Sequence, residues 1–195
     1  MKKLALCSAL ALVSLHAAAD VTPRFYTGLS LSTGNGSEQI EYIGVTDSDI
    51  YNTEYDATGI SAYGGYIFPS NNRFELSLSR INAHSEDGVS ASFSGVDFDW
   101  KFTFGEGNIS PYIGLGFGFY TSADTSEIFA SNEDLQGYAL TLAGGLIAKV
   151  SDRLQLDFSL SYKSIDWTAI KDESDNTYDL YDGVSRFSLG ASYLF

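Results

Sequence analysis

Apolar and polar residues alternate with a period of two along most of the chain after residue 24. In residues 73–81, for example, the apolar side chains Phe74, Leu76 and Leu78 are separated by polar ones. This period predicts β-strands with one apolar face. Eight segments show it: 25–32, 59–68, 73–81, 91–104, 110–120, 137–149, 154–163 and 187–195. Most are close to the length of a tilted transmembrane strand, roughly 9–11 residues.

The connections between these segments alternate in length. The long ones are 33–57, 82–90, 121–135 and 164–184, and the short ones are 69–72, 105–108 and 151–153. Long exterior loops and tight periplasmic turns are typical of an outer-membrane barrel. The pattern therefore predicts an all-β fold, an eight-stranded antiparallel up-and-down transmembrane β-barrel, with both termini at the short-turn end.

The second face of the strands decides which side of the barrel is apolar. It consists of Gly, Ser, Ala and Thr with charges of both signs, which suits a narrow interior and would make a poor water-facing surface. Because buried charges must be paired, we predict a lumen ion-pair network. Its members are Arg73, Glu75, Asp97, Asp99, Lys101, Asp157 and Lys163. A soluble lipocalin-like carrier, with its apolar face inside, is the alternative.

Composition excludes several classes. The net charge of −14 argues against a nucleic-acid binder, which needs a basic face. The single Cys excludes a disulfide framework and a Cys-rich zinc site. No acidic run has the spacing of an EF-hand loop, so we expect neither a cofactor nor a dedicated metal site.

The first residues have the features of a signal peptide. Lys2 and Lys3 precede an apolar run over 4–15, and Ala17–Ala19 then give a cleavage site before Asp20. The apolar run is shorter than the ~20 residues that a membrane-spanning helix needs. We predict a signal peptide over 1–19, Sec export, and a barrel domain over 20–195.

Two segments carry a family resemblance. PYIGLGFGF at 111–119 and FSLGASYLF at 187–195 resemble the small eight-stranded outer-membrane barrels, of the OmpA transmembrane-domain and OmpX type. The resemblance implies the outer membrane of a Gram-negative bacterium, with its lipid and lipopolysaccharide as partners. It also implies a final strand read by the barrel assembly machinery, and the residues matching that signal are Ser188, Gly190, Tyr193 and Phe195. Because the chain stops at Phe195, we expect no peptidoglycan-binding domain like that of full-length OmpA.

Aromatic residues cluster near the predicted periplasmic strand ends. We interpret them as a girdle at the bilayer interface. They are Tyr26, Tyr66, Phe68, Trp100, Phe102, Phe104, Tyr193 and Phe195.

The long loops are strongly acidic, with 18 acidic residues against one basic residue, Lys171. This charge indicates a solvated surface, or a face for a basic extracellular partner or divalent cations. The residues assigned to the acidic face are Glu38, Glu41, Asp47, Asp49, Glu54, Asp56, Asp172, Glu173 and Asp175.

Residues for catalysis are few. Some outer-membrane barrels that this chain resembles modify lipid A with a His, a Ser and an acid. Here His84, Ser85 and Glu86 are sequence neighbours, whose side chains point apart on an extended segment. We therefore predict no enzyme, and a structural or surface-interaction protein with a closed lumen. The alternatives left open are a narrow cation-selective channel, a lipid A-modifying enzyme and the lipocalin-like carrier.

Overall fold

The computed structural model describes residues 22–43, 48–85, 90–105, 107–123, 135–171 and 177–195. The strands are β1 Arg24–Ile43, β2 Ser48–Ile67, β3 Arg73–Ser85, β4 Ser90–Thr103, β5 Ile109–Ala123, β6 Leu135–Lys149, β7 Leu154–Trp167, β8 Ile170–Lys171 and β9 Thr177–Leu194. No helix within these ranges is long and apolar enough to cross a membrane. The predicted signal peptide lies outside the described residues.

The eight long strands form one closed antiparallel sheet. Each pairs with its neighbour along the chain, β9 pairs back with β1, and the two-residue β8 pairs only with the outer end of β9. Following register partners around the sheet from Leu29 returns to β1 at Gln39, ten positions along. Such a stagger tilts the strands of a barrel. The predicted eight-stranded antiparallel up-and-down barrel is confirmed.

Near the short turns, the apolar side chains point outward. In β3, Leu76 and Leu78 are exposed, Leu78 to 63%, whereas Glu75 and Ser77 are buried inside. Lipid solvates an outward apolar belt, and the closed sheet satisfies the backbone hydrogen bonds. The lipocalin-like alternative is therefore wrong, because it requires the opposite orientation.

Beyond this belt, inward and outward positions still alternate, but the apolar side chains change from the outward face to the inward face. In β3, Ile81 and Ala83 are buried inside, Ile81 with 0% exposure, whereas Arg80, Asn82 and His84 are exposed. We call the part of the barrel at and beyond this reversal the extracellular half, and the rest of the barrel the membrane half. The extracellular half comprises 33–43, 48–58, 80–85, 90–94, 121–123, 135–137, 164–167, 170–171 and 177–185.

Because the strands continue beyond this reversal, the predicted bounds of the long loops were wrong. Most of the predicted loop 33–57 is a hairpin of β1 and β2, and only 44–47 between them lies outside the described residues. The ends of the predicted loops 82–90 and 164–184 are likewise strand. The predicted strands end where their outward face becomes polar, whereas the strands of the structure continue with an apolar inward face.

Candidate functional site in the barrel interior and extracellular half

The lower lumen contains a lysine held by two carboxylates. Lys101 Nζ lies 3.0 Å from Glu75 Oε2 and 2.9 Å from Asp157 Oδ2. Tyr26 donates a hydrogen bond to Glu75 at 3.1 Å, and Tyr112 donates one to Asp157 at 2.9 Å. These partners offset the cost of burying the charges.

A second buried pair lies farther along the lumen. Lys163, only 1% exposed, forms an ion pair with Asp97. The other oxygen of Asp97 accepts hydrogen bonds from Tyr120 at 2.6 Å and from Ser79 at 3.0 Å. Each charge is thus paired and hydrogen-bonded, as burial requires.

Two of the seven residues predicted for the ion-pair network do not form ion pairs within the described part of the chain. Arg73 donates to the amide oxygen of Gln155 at 2.7 Å, and neither Arg73 nor Asp99 has an opposite charge within 4.0 Å. Lys101 and Lys163 are held by carboxylates other than Asp99, and Glu75, two residues from Arg73 on β3, is held by Lys101. Arg186, which is not among the predicted members of the network, lines the same lumen cavity of about 100 Å³.

Inward tyrosines fill much of the remaining lumen, and each lies against an inward glycine of a neighbouring strand. A Cβ on Gly65 would collide with the ring of Tyr26, and a Cβ on Gly95 would collide with that of Tyr120. The other pairs are Tyr63 with Gly28, Tyr112 with Gly145, and Tyr55 with Gly36. These glycines therefore have a packing role that alternation alone did not reveal.

An apolar cluster lies above the polar lumen. Its buried members, which we call the upper cluster, are Tyr55, Ala57, Ile81, Ala83, Phe93, Tyr120, Leu135, Ala139, Ile165, Trp167, Leu180 and Val184. They come from every long strand except β1, whose Ile40 packs against the cluster. This interior core was not predicted, although the run Ile81-Asn82-Ala83 shows the apolar residues moving to the inward positions.

Two carboxyl groups face each other within the extracellular half. Glu38 and Asp182 are register partners on the inward side of β1 and β9. Asp182 is buried and accepts hydrogen bonds from Tyr55 at 2.7 Å and from Trp167 Nε1 at 2.6 Å. Burial, and secondarily the charge of Asp182, raises the pKa of Glu38 to about 7. Burial also raises the pKa of Asp182, against the opposing effect of its two hydrogen bonds.

Of the residues assigned to the acidic face, some lie on strands and the others lie outside the described residues. Glu38, Glu41, Asp49, Glu54 and Asp56 lie on strands rather than in loops, and Glu38 faces the interior. This corrects their assignment, because β1 and β2 extend through these positions. The remaining assigned residues, Asp47, Asp172, Glu173 and Asp175, lie outside the described residues.

The outward acidic residues lie on three neighbouring strands. Glu41 faces Asp179 across the β1–β9 pairing, while Glu54 and Asp56 are exposed on β2. Asn35 donates a hydrogen bond to Asp56 at 3.0 Å. Within the described ranges, no group of three His, Cys, Asp or Glu residues is arranged to hold a metal ion.

The predicted girdle residues form a row of ring contacts near the short-turn end. Phe68 stacks on Trp100 with ring centres 5.1 Å apart, and it also contacts Tyr66 at 5.0 Å. Trp100 continues the row to Phe102 at 6.3 Å, whereas Phe104 is half-buried just beyond β4. Tyr26 was assigned wrongly, because it points into the lumen and is 3% exposed.

The four residues of the predicted assembly signal lie on both faces of the sheet, at the end of β9 and just beyond it. Ser188 and Gly190 face the lumen, whereas Tyr193 and Phe195 are exposed, with ring centres 5.4 Å apart. Their role in assembly stays a prediction.

His84 lies near the outer end of β3, where Nδ1 is 2.8 Å from Ser90 Oγ across the β3–β4 hairpin. Glu86, the acid considered with it, lies outside the described residues.

Known outer-membrane proteins share this architecture. A sequence profile described as "Outer membrane protein beta-barrel domain" matches residues 5–195. The solved structure of OprG from Pseudomonas aeruginosa is similar, with a TM-score of 0.63, 14% identity, and coverage of 92% of this chain and 98% of OprG. Neisserial surface protein A (NspA) gives a TM-score of 0.53 at 14% identity, covering 90% of this chain and 100% of NspA. These identities show a common fold alone. No curated protein matches the chain in sequence.

Proposed function

The chain belongs to the outer membrane protein beta-barrel domain family, and from this we propose a non-catalytic surface protein of the Gram-negative outer membrane. In this proposal, the lumen is closed to bulk solutes and the extracellular half contacts other molecules. Contact with outer-membrane lipid and lipopolysaccharide, and recognition of the last strand by the barrel assembly machinery, belong to the same proposal.

The observation that carries the closed lumen is the upper cluster. Its side chains from seven strands converge over the polar lumen, and Ile81, Ile165 and Val184 within it are each 0% exposed. A hydrated ion crossing this layer would lose its water without gaining polar ligands, which is strongly unfavourable. Below the layer, Lys101 and Lys163 are each held by carboxylates within the lumen.

The outward acidic residues support the interaction role. Glu41, Glu54, Asp56 and Asp179 lie on the outer side of β1, β2 and β9, and the like charges of the register partners Glu41 and Asp179 repel across the β1–β9 pairing. A basic protein surface or divalent cations would relieve this repulsion. We therefore propose a cationic partner for this side of the extracellular half.

A narrow cation-selective channel is the second candidate. A polar lumen cavity of about 100 Å³, lined by the carboxylates Glu75, Asp97, Asp99 and Asp157, favours it. The apolar upper cluster opposes it. An enzyme has less support, since His84 contacts Ser90 across its own hairpin.

Planar-bilayer recording tests the closed lumen. The wild-type barrel should give no conductance steps above baseline. Phe93→Ala, which shortens a member of the upper cluster, should introduce steps if that layer is the barrier. The matched control is Phe98→Ala, a shortening on the lipid face of the same strand, which should stay silent. Cation-selective steps in the wild type would favour the channel instead.

Binding of a short polylysine peptide tests the acidic side. The wild-type barrel in vesicles should bind it in a salt-sensitive manner. The triple variant Glu41→Gln, Glu54→Gln and Asp56→Asn should lose most of that binding. A control with Asn52→Ala and Thr58→Ala changes neutral positions on the same side of β2 and should bind as the wild type does. Equal binding by all three proteins would contradict the proposed role.

A further inference from the structure

A pocket of about 350 Å³ opens among the residues at the short-turn end of the barrel. Its lining includes Arg24, Asn71, Arg73, Lys149, Asp152 and Gln155. Short turns lie on the periplasmic side of outer-membrane barrels. The volume falls within the ordinary range of small-molecule sites, roughly 300–1,000 Å³.

The central feature of this pocket is the guanidinium of Arg73. Arg73 is 3% exposed, yet no carboxylate of the described residues lies within 4.0 Å of it. Its Nη1 donates to the neutral amide of Gln155, and its Nε has no partner within the described part of the chain. Glu75, two residues along β3, is already engaged by Lys101 and Tyr26.

A buried guanidinium without an anionic partner is energetically costly. The contact of Arg73 with the ring of Tyr26, at 5.5 Å from the ring centre, compensates only part of that cost. In contrast, both lysines of the same lumen are held by carboxylates. Arg73 therefore differs from these two lysines in facing a pocket rather than an acidic side chain.

The rim of the pocket adds positive charge. Arg24 and Lys149 line it, and Asp152 supplies the one carboxylate among the described lining residues. Arg24 donates to the backbone carbonyl of Asp152 at 3.0 Å, so this contact is not an ion pair. Among the described lining residues, three cations against one anion give a net positive charge, opposite in sign to the extracellular half.

We propose that this pocket binds a small oxyanion, a carboxylate or phosphate group that enters from the periplasmic side. Arg73 supplies a planar fork of N–H donors, which matches the paired oxygens of either group. Arg24 and Lys149 attract the anion at the rim. The site is separate from the acidic extracellular half and does not depend on the function proposed for it.

Nuclear magnetic resonance of the refolded full barrel tests the site. The protein is held in a maltoside detergent and a buffer free of phosphate and carboxylate, and is titrated separately with inorganic phosphate and with acetate. The Nε–H signal of Arg73 should move saturably with at least one of them, since a bound oxyanion adds a charged acceptor. No saturable movement with either anion would overturn the proposal.

Variants assign the binding to the pocket. Arg73→Gln should weaken binding by about tenfold or more, because it removes charge-assisted hydrogen bonds. Lys149→Gln, at the rim, should weaken it by a smaller factor. Arg153→Gln is the matched control, an exposed basic residue of the same end that donates to Tyr193 and does not line the pocket. Equal weakening by Lys149→Gln and Arg153→Gln would mean nonspecific attraction and overturn the proposal.

Two further measurements cover the case in which Arg73→Gln does not refold and identify the source of the anion. If Arg73→Gln does not refold, the Nε–H signal of the wild type and the contrast between Lys149→Gln and Arg153→Gln still decide it. A short-chain phosphatidylglycerol, compared with inorganic phosphate, distinguishes a lipid headgroup from a free anion as the source. Tighter binding of the lipid assigns the headgroup, and equal or weaker binding assigns the free anion.

Discussion

The membrane half and the extracellular half are built from the same strands with opposite faces apolar. In the membrane half, β3 exposes Leu76 and Leu78 and buries Glu75. Three residues beyond Leu78, the same strand buries Ile81 and exposes Asn82. Lipid solvates the first arrangement and water the second, so the position of the reversal marks the outer border of the apolar belt.

The difference shows that one closed sheet can contain two kinds of core. The lower interior is polar, and its charges are compensated by pairs such as Lys163 with Asp97. The upper interior is mostly apolar apart from Glu38 and Asp182, and its upper cluster resembles the core of a soluble protein, stabilised by burial from water. Substitutions that are tolerated in one half should therefore be costly in the other.

The largest effect is expected from breaking a polar pair of the membrane half. Lys163→Met leaves Asp97 buried without its cation and should cost about 3–5 kcal/mol of the free energy of unfolding. The double variant Lys163→Met with Asp97→Asn should recover much of this loss. Urea unfolding in vesicles, followed by the loss of the compact band of unboiled protein on gels, measures both. A double variant as unstable as the single one would show that the charge pair is not the cause.

A polar group in the upper cluster should cost slightly less. Ile81→Asn buries an amide at a site with 0% exposure and should lower the free energy of unfolding by about 3 kcal/mol. The control Ile81→Val keeps the site apolar and should cost about 1 kcal/mol. If the two variants are equally stable, the upper interior is wet rather than apolar.

A charge on the outer surface sharpens the comparison along a single strand. Leu76→Lys, in the middle of the apolar belt, should cost about 2–4 kcal/mol. Asn82→Lys, on the same outward face but in the extracellular half, should change the free energy of unfolding by less than about 0.5 kcal/mol. Similar losses at both positions would place both in lipid.

The smallest effect concerns pH and the carboxyl pair of the extracellular half. The pKa of Glu38, raised from 4.5 to about 7, means that the folded protein holds more protons than the unfolded chain between these values. Stability should therefore fall as pH rises from about 4.5 to about 7 and level off above, by roughly 1–2 kcal/mol because solvent screening at the half-buried Glu38 reduces the full effect of the shift. Glu38→Gln should flatten this dependence, whereas Glu54→Gln, on the exposed side, should leave it unchanged. A slope that persists in Glu38→Gln would assign it to Asp182 or another group.

The sequence was sufficient to predict the membrane half. Outward residues such as Phe74, Leu76 and Leu78 alternate with small or charged ones, and the short turns separate the strands clearly. The pairing of Lys101 with Glu75 follows from two inward charges of opposite sign on adjacent strands. The lack of a carboxylate partner for Arg73 was not predictable, because nothing in the local sequence shows that Glu75 pairs with Lys101 rather than with Arg73.

The extracellular half was read as loops for a physical reason. Tyr55, Ile81 and Trp167 are apolar residues on the inward face, whereas the predicted strands were defined by apolar residues that turn out to face outward. Where the phase reverses, acidic residues such as Glu54 and Asp56 look like a polar loop although they alternate with Tyr55 and Ala57. A search that allowed one phase change per strand would have extended β2 upward. The contact between Glu38 and Asp182 is long-range and depends on the barrel closing.

Spin-label accessibility along β3 tests the phase reversal most directly. Single cysteines are placed at Leu76, Leu78, Ile81, Asn82 and Ala83 in a Cys7→Ser background and labelled in vesicles. Labels at Leu76 and Leu78 should be relaxed by oxygen, which concentrates in lipid, and the label at Asn82 by a water-soluble nickel complex. Labels at Ile81 and Ala83 should be shielded from both reagents. Nickel access at Ile81 and Ala83, or oxygen access at Asn82, would contradict the two-half architecture.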